Sequence, residues 1–118
     1  MKRKKIVVAD DDSDILEVIN LILNVKGYDV RTESNAENLL HMTEDLPDLL
    51  LLDIWMSGVD GRDICRQLKS REATRNLPVV MLSANIDIKN MSVDCGATDY
   101  LAKPFDINEL VGIIEKHT

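Results

Sequence analysis

Five short apolar runs, separated by stretches of helical periodicity, set the frame of this chain. Ile6 to Ala9, Leu49 to Leu52 and Val79 to Leu82 are continuous in apolar residues, as strands covered on both faces of a parallel sheet require. Tyr28 to Thr32 and Tyr100 to Ala102 are weaker strand signals and suit edge or near-edge places. Between them lie Ile15, Val18, Ile19 and Ile22, then Ala36, Leu39, Leu40 and Thr43, and finally Ile107, Leu110, Val111 and Ile114. Their i, i+3, i+4, i+7 spacing gives each predicted helix one apolar stripe. A further helix is predicted from about Gly61 to Arg71, with Ile64, Cys65 and Leu68 inward.

Boundary residues agree with this alternation. Ser13 can cap the first helix and Gly27 can end it; Ser34 or Asn35 can start the second and Asp106 the last. Pro47 and Pro78 stand just before strands, where a missing amide hydrogen costs least. The order is therefore (βα)₅, and right-handed crossovers turn it into a doubly wound α/β fold, a three-layer sandwich around a parallel sheet. At 118 residues the chain is read as one domain, 1–118.

Four of the five runs end in a polar group: Asp10 and Asp11 after the first, Asp53 after the third, Ser83 after the fourth and Lys103 after the fifth. The carboxyl ends of parallel strands lie together, and an open α/β sheet binds its ligand where the strand order reverses, so these side chains are expected to converge. Three bare carboxylates in one cleft would repel one another and raise at least one pKa. A hard cation resolves that conflict, and Mg²⁺ takes one or two carboxylates with waters and phosphate oxygens. Asp11, Asp53 and a loop carbonyl can supply such ligands, while Lys103 adds positive charge and Ser83 a donor. An aspartate so placed can act as a nucleophile toward a phosphoryl group; Asp53 is the choice, because its strand is central and the loop Ile54 to Gly58 is free to wrap a ligand.

Composition narrows the classes. With 45% hydrophobic and 30% charged residues the chain is globular, and no stretch approaches the ~20 apolar residues of a membrane span. MKRKK at the start precedes only four apolar residues and then aspartates, which is not a secretory signal; the cytoplasm and no membrane partner are expected. A net charge of −7 argues against direct nucleic-acid binding by this domain, so a DNA role would need another one. Lys2 to Lys5 read as a solvated strand entry. Cys65 and Cys95 show no metal or CxxC spacing and read as buried small hydrophobes.

The run VVADDDSD, the segment LLLDIWMSGVDG, the segment VVMLSA and the stretch GATDYLAKPF resemble, in order, the four signature regions of the response-regulator receiver domain of two-component signalling. The resemblance covers the whole chain. It implies a flavodoxin-like fold with strand order 2-1-3-4-5 and Asp53 as phospho-acceptor. It further implies Asp11 as a direct Mg²⁺ ligand, Asp10 as one through water, and the backbone carbonyl of Trp55 in the metal shell. Ser83 takes the switch hydroxyl position, Lys103 the phosphate-pairing position and Tyr100 that of the rotameric aromatic, with a cis Lys103–Pro104 peptide. The implied partners are a sensor histidine kinase or phosphotransfer protein and a downstream effector protein or domain, with a phosphorylation-dependent homodimer as a further option. Phosphorylation is expected to draw Ser83 and Lys103 inward, with Tyr100 following.

Several positions depart from the family. Trp55 stands where a smaller or polar side chain is more usual; its indole either covers the acyl phosphate or points over the surface. Ser57 replaces a usual proline, which predicts a looser loop before Gly58, and Asp12 reads as a solvated loop or cap residue. From Ser83 to Gly96 is 13 positions, about two fewer than the family norm, so the fourth helix is expected to be short or frayed. The rival enzyme reading, an aspartate-phosphate phosphohydrolase of the haloacid dehalogenase kind, needs a second carboxylate two residues after the nucleophile, where Trp55 stands. A flavodoxin would need a Ser/Thr/Gly phosphate loop in place of ADDDSD, and a receiver-shaped partner-binding protein without phosphorylation would have no use for the acidic set.

Overall fold

Strand residues that alternate between two apolar layers organise the computed structural model, which describes residues 3–118. Five parallel strands, β1 (Lys5–Ala9), β2 (Asp29–Glu33), β3 (Leu49–Asp53), β6 (Val79–Ser83) and β7 (Asp99–Ala102), form one sheet in the order β2-β1-β3-β6-β7. β1 pairs with both β2 and β3, so the strand order reverses at β1 and β3, as a doubly wound sheet requires. This is the flavodoxin-like order 2-1-3-4-5 once the short hairpin formed by β4 (Trp55–Met56) and β5 (Val59–Asp60) is set aside.

Every residue of β3 is buried, and so are the apolar residues of β1 and β6. Val7, Ala9, Leu50, Leu52, Val79 and Met81 face one layer, with α2 (Gly61–Ser70), α3 (Ile88–Asp94) and the 3-10 segment Ala36–His41. Ile6, Val8, Leu49, Leu51, Val80 and Leu82 face the other, against α1 (Ser13–Val25) and α4 (Ile107–His117). A continuous apolar run is thus two interleaved stripes of period two. Each fully buried Leu or Ile contributes about 2 kcal/mol.

Helix signals were legible to different degrees. α4 begins at Asp106, which accepts the Glu109 amide (2.8 Å) while the Glu109 carboxylate accepts the Asp106 amide (3.3 Å), a reciprocal capping box. α1 is capped by Asp12 rather than Ser13: the Asp12 carboxylate accepts the amides of Asp14 and Ile15, and Ser13 is already the first helical residue. Gly27 follows the end of α1 at φ +93°, the left-handed conformation that glycine adopts without strain. The second predicted helix shrinks to the 3-10 segment, which buries Ala36 and Leu39 and ends before Thr43. Its stripe ends in a polar residue, and the Leu40 carbonyl, which a longer α-helix would use, accepts from the Arg71 guanidinium instead. α3 has only seven residues, as the short span before Gly96 predicts.

Gly61 opens α2 directly beneath the end of β3. Its amide donates to the Ile54 carbonyl (2.5 Å), and a Cβ built there would lie 2.2 Å from the backbone oxygen of Asp53. Only glycine allows that approach, since the obstacle is backbone. Gly61→Ala is expected to destabilise the protein by about 3 kcal/mol, read as a lowered denaturant midpoint at unchanged m-value.

Candidate functional site

Four of the chemistry-bearing side chains converge at the carboxyl edge of the sheet. One carboxylate oxygen from each of Asp10, Asp11 and Asp53 lies within 4.8 Å of the other two. Lys103, just past β7, sends its Nζ to Asp10 Oδ2 at 2.8 Å and stands 3.6 Å from Asp53 Oδ1. The Lys103–Pro104 peptide is cis.

The acidic run divides its labour by position. Asp10 is fully buried; one carboxylate oxygen accepts Lys103 and the other accepts the Asp12 amide (3.0 Å). Asp11 is exposed and turns to the cleft, where its Oδ2 accepts the Ser57 amide at 2.8 Å. Asp12 leaves the cleft to cap α1, so one of the two roles expected for it holds.

The Ser57 contact corrects the expectation of a free, looser loop. Trp55–Met56 and Val59–Asp60 pair as an antiparallel hairpin, with Ser57 (φ +50°) and Gly58 (φ +76°) at its turn and Met56 fully buried beneath. A proline at position 57 could adopt neither that φ nor donate an amide. Serine therefore does not loosen the segment; it lets the hairpin hold Asp11. The Ser-Gly dipeptide is the turn signal that could have announced this hairpin. Trp55 is 60% exposed on it.

Asp53 carries the electrostatic load. Burial, reinforced by the neighbouring Asp10 carboxylate, pushes its pKa up to about 6, against the opposing pull of Lys103 and the Trp55 amide. A three-carboxylate cluster with one ammonium is under-compensated, and its oxygen donors at this spacing suit a small hard cation. Asp53 pairs in register with Leu82, so Ser83 extends the adjacent strand by one residue. The Ser83 hydroxyl accepts the Asn85 amide at 2.9 Å, and its carbonyl accepts the Lys103 amide at 2.8 Å. Tyr100 is half-buried against the α2/α3 layer, one strand further on. The structure thus gathers Asp10, Asp11, Asp53 and Lys103; Ser83 and Tyr100 sit on the flanking strands, and the side-chain bond of Ser83 goes to the Asn85 amide rather than to the cluster.

The raised Asp53 pKa has a defined consequence for stability. The folded-state value lies above the unfolded value of 3.8, so the native state binds this proton more tightly; that contribution is complete below pH 4 and is lost as the pH rises through about 6. Without divalent cations at pH 7.5, Asp53→Asn is expected to melt higher than the parent by on the order of 5 °C. The gap should shrink at pH 4.5, and Mg²⁺ should stabilise the parent more than the variant. Thermal melts in chelator and in Mg²⁺ at both pH values check this.

Comparison with known proteins places this geometry. The family model for the response regulator receiver domain matches residues 6–115. The DNA-binding response regulator MtrA of Mycobacterium tuberculosis is 37% identical over 112 residues, 92% of this chain and 48% of that protein. The DNA-binding dual master transcriptional regulator RpaA of Synechocystis is 37% identical over 110 residues, 91% of this chain and 46% of that protein. The chain spans about half the length of these curated relatives. Among solved structures, the receiver domain of the sensor histidine kinase PA1611 from Pseudomonas aeruginosa, with magnesium coordinated in its active-site cleft, superposes with a TM-score of 0.87 at 28% identity, covering 98% of both chains. The receiver domain of NtrX from Brucella abortus superposes with a TM-score of 0.84 at 32% identity, covering 95% of this chain and 96% of that one. A sheet in the order β2-β1-β3-β6-β7 with its acidic cluster at the switch point, and a family match over nearly every residue, lead to one assignment: this chain belongs to the response regulator receiver domains of two-component signalling.

Proposed function

We propose that Asp53 accepts a phosphoryl group from a phosphohistidine of a sensor histidine kinase or phosphotransfer protein, in a Mg²⁺-dependent reaction, and that the resulting charge switches the fold between two signalling states. The observation that carries this is the placement of Lys103 3.6 Å from Asp53 within an acidic cluster that calls for a cation. A carboxylate oxygen of Asp53 attacks phosphorus, the P–N bond to the donor imidazole breaks, and the imidazole keeps that electron pair and takes a proton. Asp11, Asp53 and the Trp55 carbonyl, with Asp10 through a water, would hold Mg²⁺, which would neutralise charge on the transferring phosphoryl oxygens. Lys103 is close enough to pair with those oxygens once they are attached. Its present partner Asp10 and the Asn85 amide held by Ser83 are then the contacts to be exchanged in the switch. Phosphorylation shifts the equilibrium only through such differential contacts.

The donor must reach Asp53 across the rim beside Lys103. An apolar groove of about 490 Å³ lies there, lined by Ile15, Val18, Ala84, Pro104 and Phe105 as well as by Lys103 itself. Because Lys103 belongs to both groove and cleft, an apolar helix face of the donor seated in the groove would present its phosphohistidine to Asp53. The effector is a separate domain or protein; the relatives named as DNA-binding are about twice as long as this chain, so a DNA contact would belong to a part outside it. No described helix is long and apolar enough to cross a membrane, and a cytoplasmic place suits the proposed partners.

Acetyl phosphate with Mg²⁺ separates this reading from the hydrolase alternative. One acid-stable, alkali-labile phosphoryl group on Asp53, absent from Asp53→Asn, is the expected outcome; sustained turnover would indicate the hydrolase and inertness a receiver fold without phosphorylation. Val18 is 53% exposed, so Val18→Asp spares the core. That variant should be phosphorylated by a cognate kinase about tenfold more slowly while labelling by acetyl phosphate is unchanged.

A further inference from the structure

Thirty positions apart in sequence, Cys65 and Cys95 meet inside the fold. Both are buried in the same apolar layer, and each thiol perturbs the ionisation of the other more than any other neighbour does. Cys65 stands one turn into α2, and Cys95 closes the C-terminal end of α3. The turn after Cys95 packs along the α2 ridge that carries Cys65: a Cβ at Gly96 would lie 3.9 Å from Cγ of Lys69, the residue four positions after Cys65. Lys69 and Arg66 bring positive charge to the two sulfurs. The neighbouring Cys95 and burial push the Cys65 thiol up, while Cys95 is drawn down to about 7 beside Cys65. Cys95 is the sulfur poised to react as a thiolate.

Access is the remaining requirement, and α3 supplies it. The helix has seven residues, the side chain of Asp87 makes no capping bond to its first amides, and the buried Ser92 hydroxyl has no hydrogen-bond partner. Each feature lowers the cost of opening α3 locally. The Cys95 thiol donates to the Ser92 carbonyl of that helix, at 3.4 Å, and so moves with it.

We propose that Cys65 and Cys95 form a reversible redox pair that closes to an intramolecular disulfide on reaction with a hydroperoxide and so fastens α3 to α2. The Cys95 thiolate attacks the peroxide O–O bond, giving a sulfenic acid and, after protonation, a molecule of water or alcohol. The Cys65 sulfur then attacks the sulfenic sulfur, the S–O bond breaks, and the hydroxide leaves as water with the Cys65 proton. Two electrons pass from the two sulfurs to the peroxide. The consequence for signalling rests on the function proposed above. α2 begins at Gly61, pressed against the Asp53 backbone, and α3 follows the Ser83 segment, so the disulfide restrains that segment relative to the acceptor.

The test treats the reduced chain with hydrogen peroxide and reads intact mass, thiol alkylation after denaturation, and the linked peptides. A loss of about 2 Da, a Cys65–Cys95 cross-link and full reversal by dithiothreitol are expected. Cys65→Ser should stop at a sulfenic acid that dimedone traps on Cys95. Ser92→Ala, which removes the unpaired hydroxyl and keeps both thiols, should slow closure roughly fivefold by holding α3 shut. Unreactive thiols, a chain-to-chain disulfide, or a terminal sulfinic acid on Cys95 in the parent would overturn the pair. Labelling by acetyl phosphate should be several-fold slower in the oxidised than in the reduced protein. Failure of the reduced protein to label would defeat the Asp53 reading and leave the dithiol standing, whereas equal labelling of both forms would defeat only the regulatory consequence.

Discussion

The repulsion among three carboxylates at the ends of β1 and β3 is the constraint around which the cleft is arranged. Isolated aspartates would avoid such an arrangement, because burial and like charge both disfavour ionisation, as the raised Asp53 pKa records. Lys103 relieves part of it by reaching Asp10 at 2.8 Å, yet it remains 3.6 Å from Asp53 and leaves the cluster short of positive charge. The apolar interior of β1, β3 and β6 makes this tolerable. Those strands are buried on both sides and hold their ends in register whether or not the charges at the edge are content. A rigid sheet therefore carries an electrostatically unfavourable cluster, an imbalance that a small hard cation would relieve.

Support for the cleft comes from residues outside the four that converge there. Gly61 lets α2 start against the Asp53 backbone, where any side chain would collide. Ser57, in the left-handed region beside Gly58, points its amide at Asp11 and keeps the one exposed member of the cluster aimed inward. Asp12, by capping α1, fixes the path of the chain immediately after Asp10 and Asp11. Positioning of the four clustered side chains thus falls to a close backbone approach, a turn amide and a helix cap.

Stability is distributed unevenly, and the pattern matches the division of labour. β3 lies at the centre of the sheet, between β1 and β6, while α3 is short, lacks a side-chain cap and encloses an unpaired hydroxyl. Segments that move in a switch are drawn from the least stable parts of a fold. The same weakness in α3 that suits a switch is what would expose the two buried thiols beneath it.

How much of this was legible depended on whether the determining interaction was local. Continuous runs such as Leu49 to Leu52 announce a doubly covered parallel strand, because only burial on both faces requires apolar residues at every position; Asp106 and Glu109 announce a helix start, because a capping box closes within four residues. The polar residues at four of the strand ends, with the resemblance to the receiver family, were enough to locate the cleft. The second helix misled, since its carbonyl is claimed by Arg71, 31 positions away, and no periodicity carries that information. Likewise the Ser57 amide reaches Asp11 across 46 positions, and Cys65 reaches Cys95 across 30, so neither pairing is written in any local pattern. Sequence by itself determined the alternation of elements, the core and the chemical types gathered at one edge, because these follow from solvent exclusion and short-range bonds. Only the tertiary structure decided which backbone amide steadies which carboxylate, how far each helix runs and which thiols face each other, because contacts between distant segments depend on the packing that brings them together.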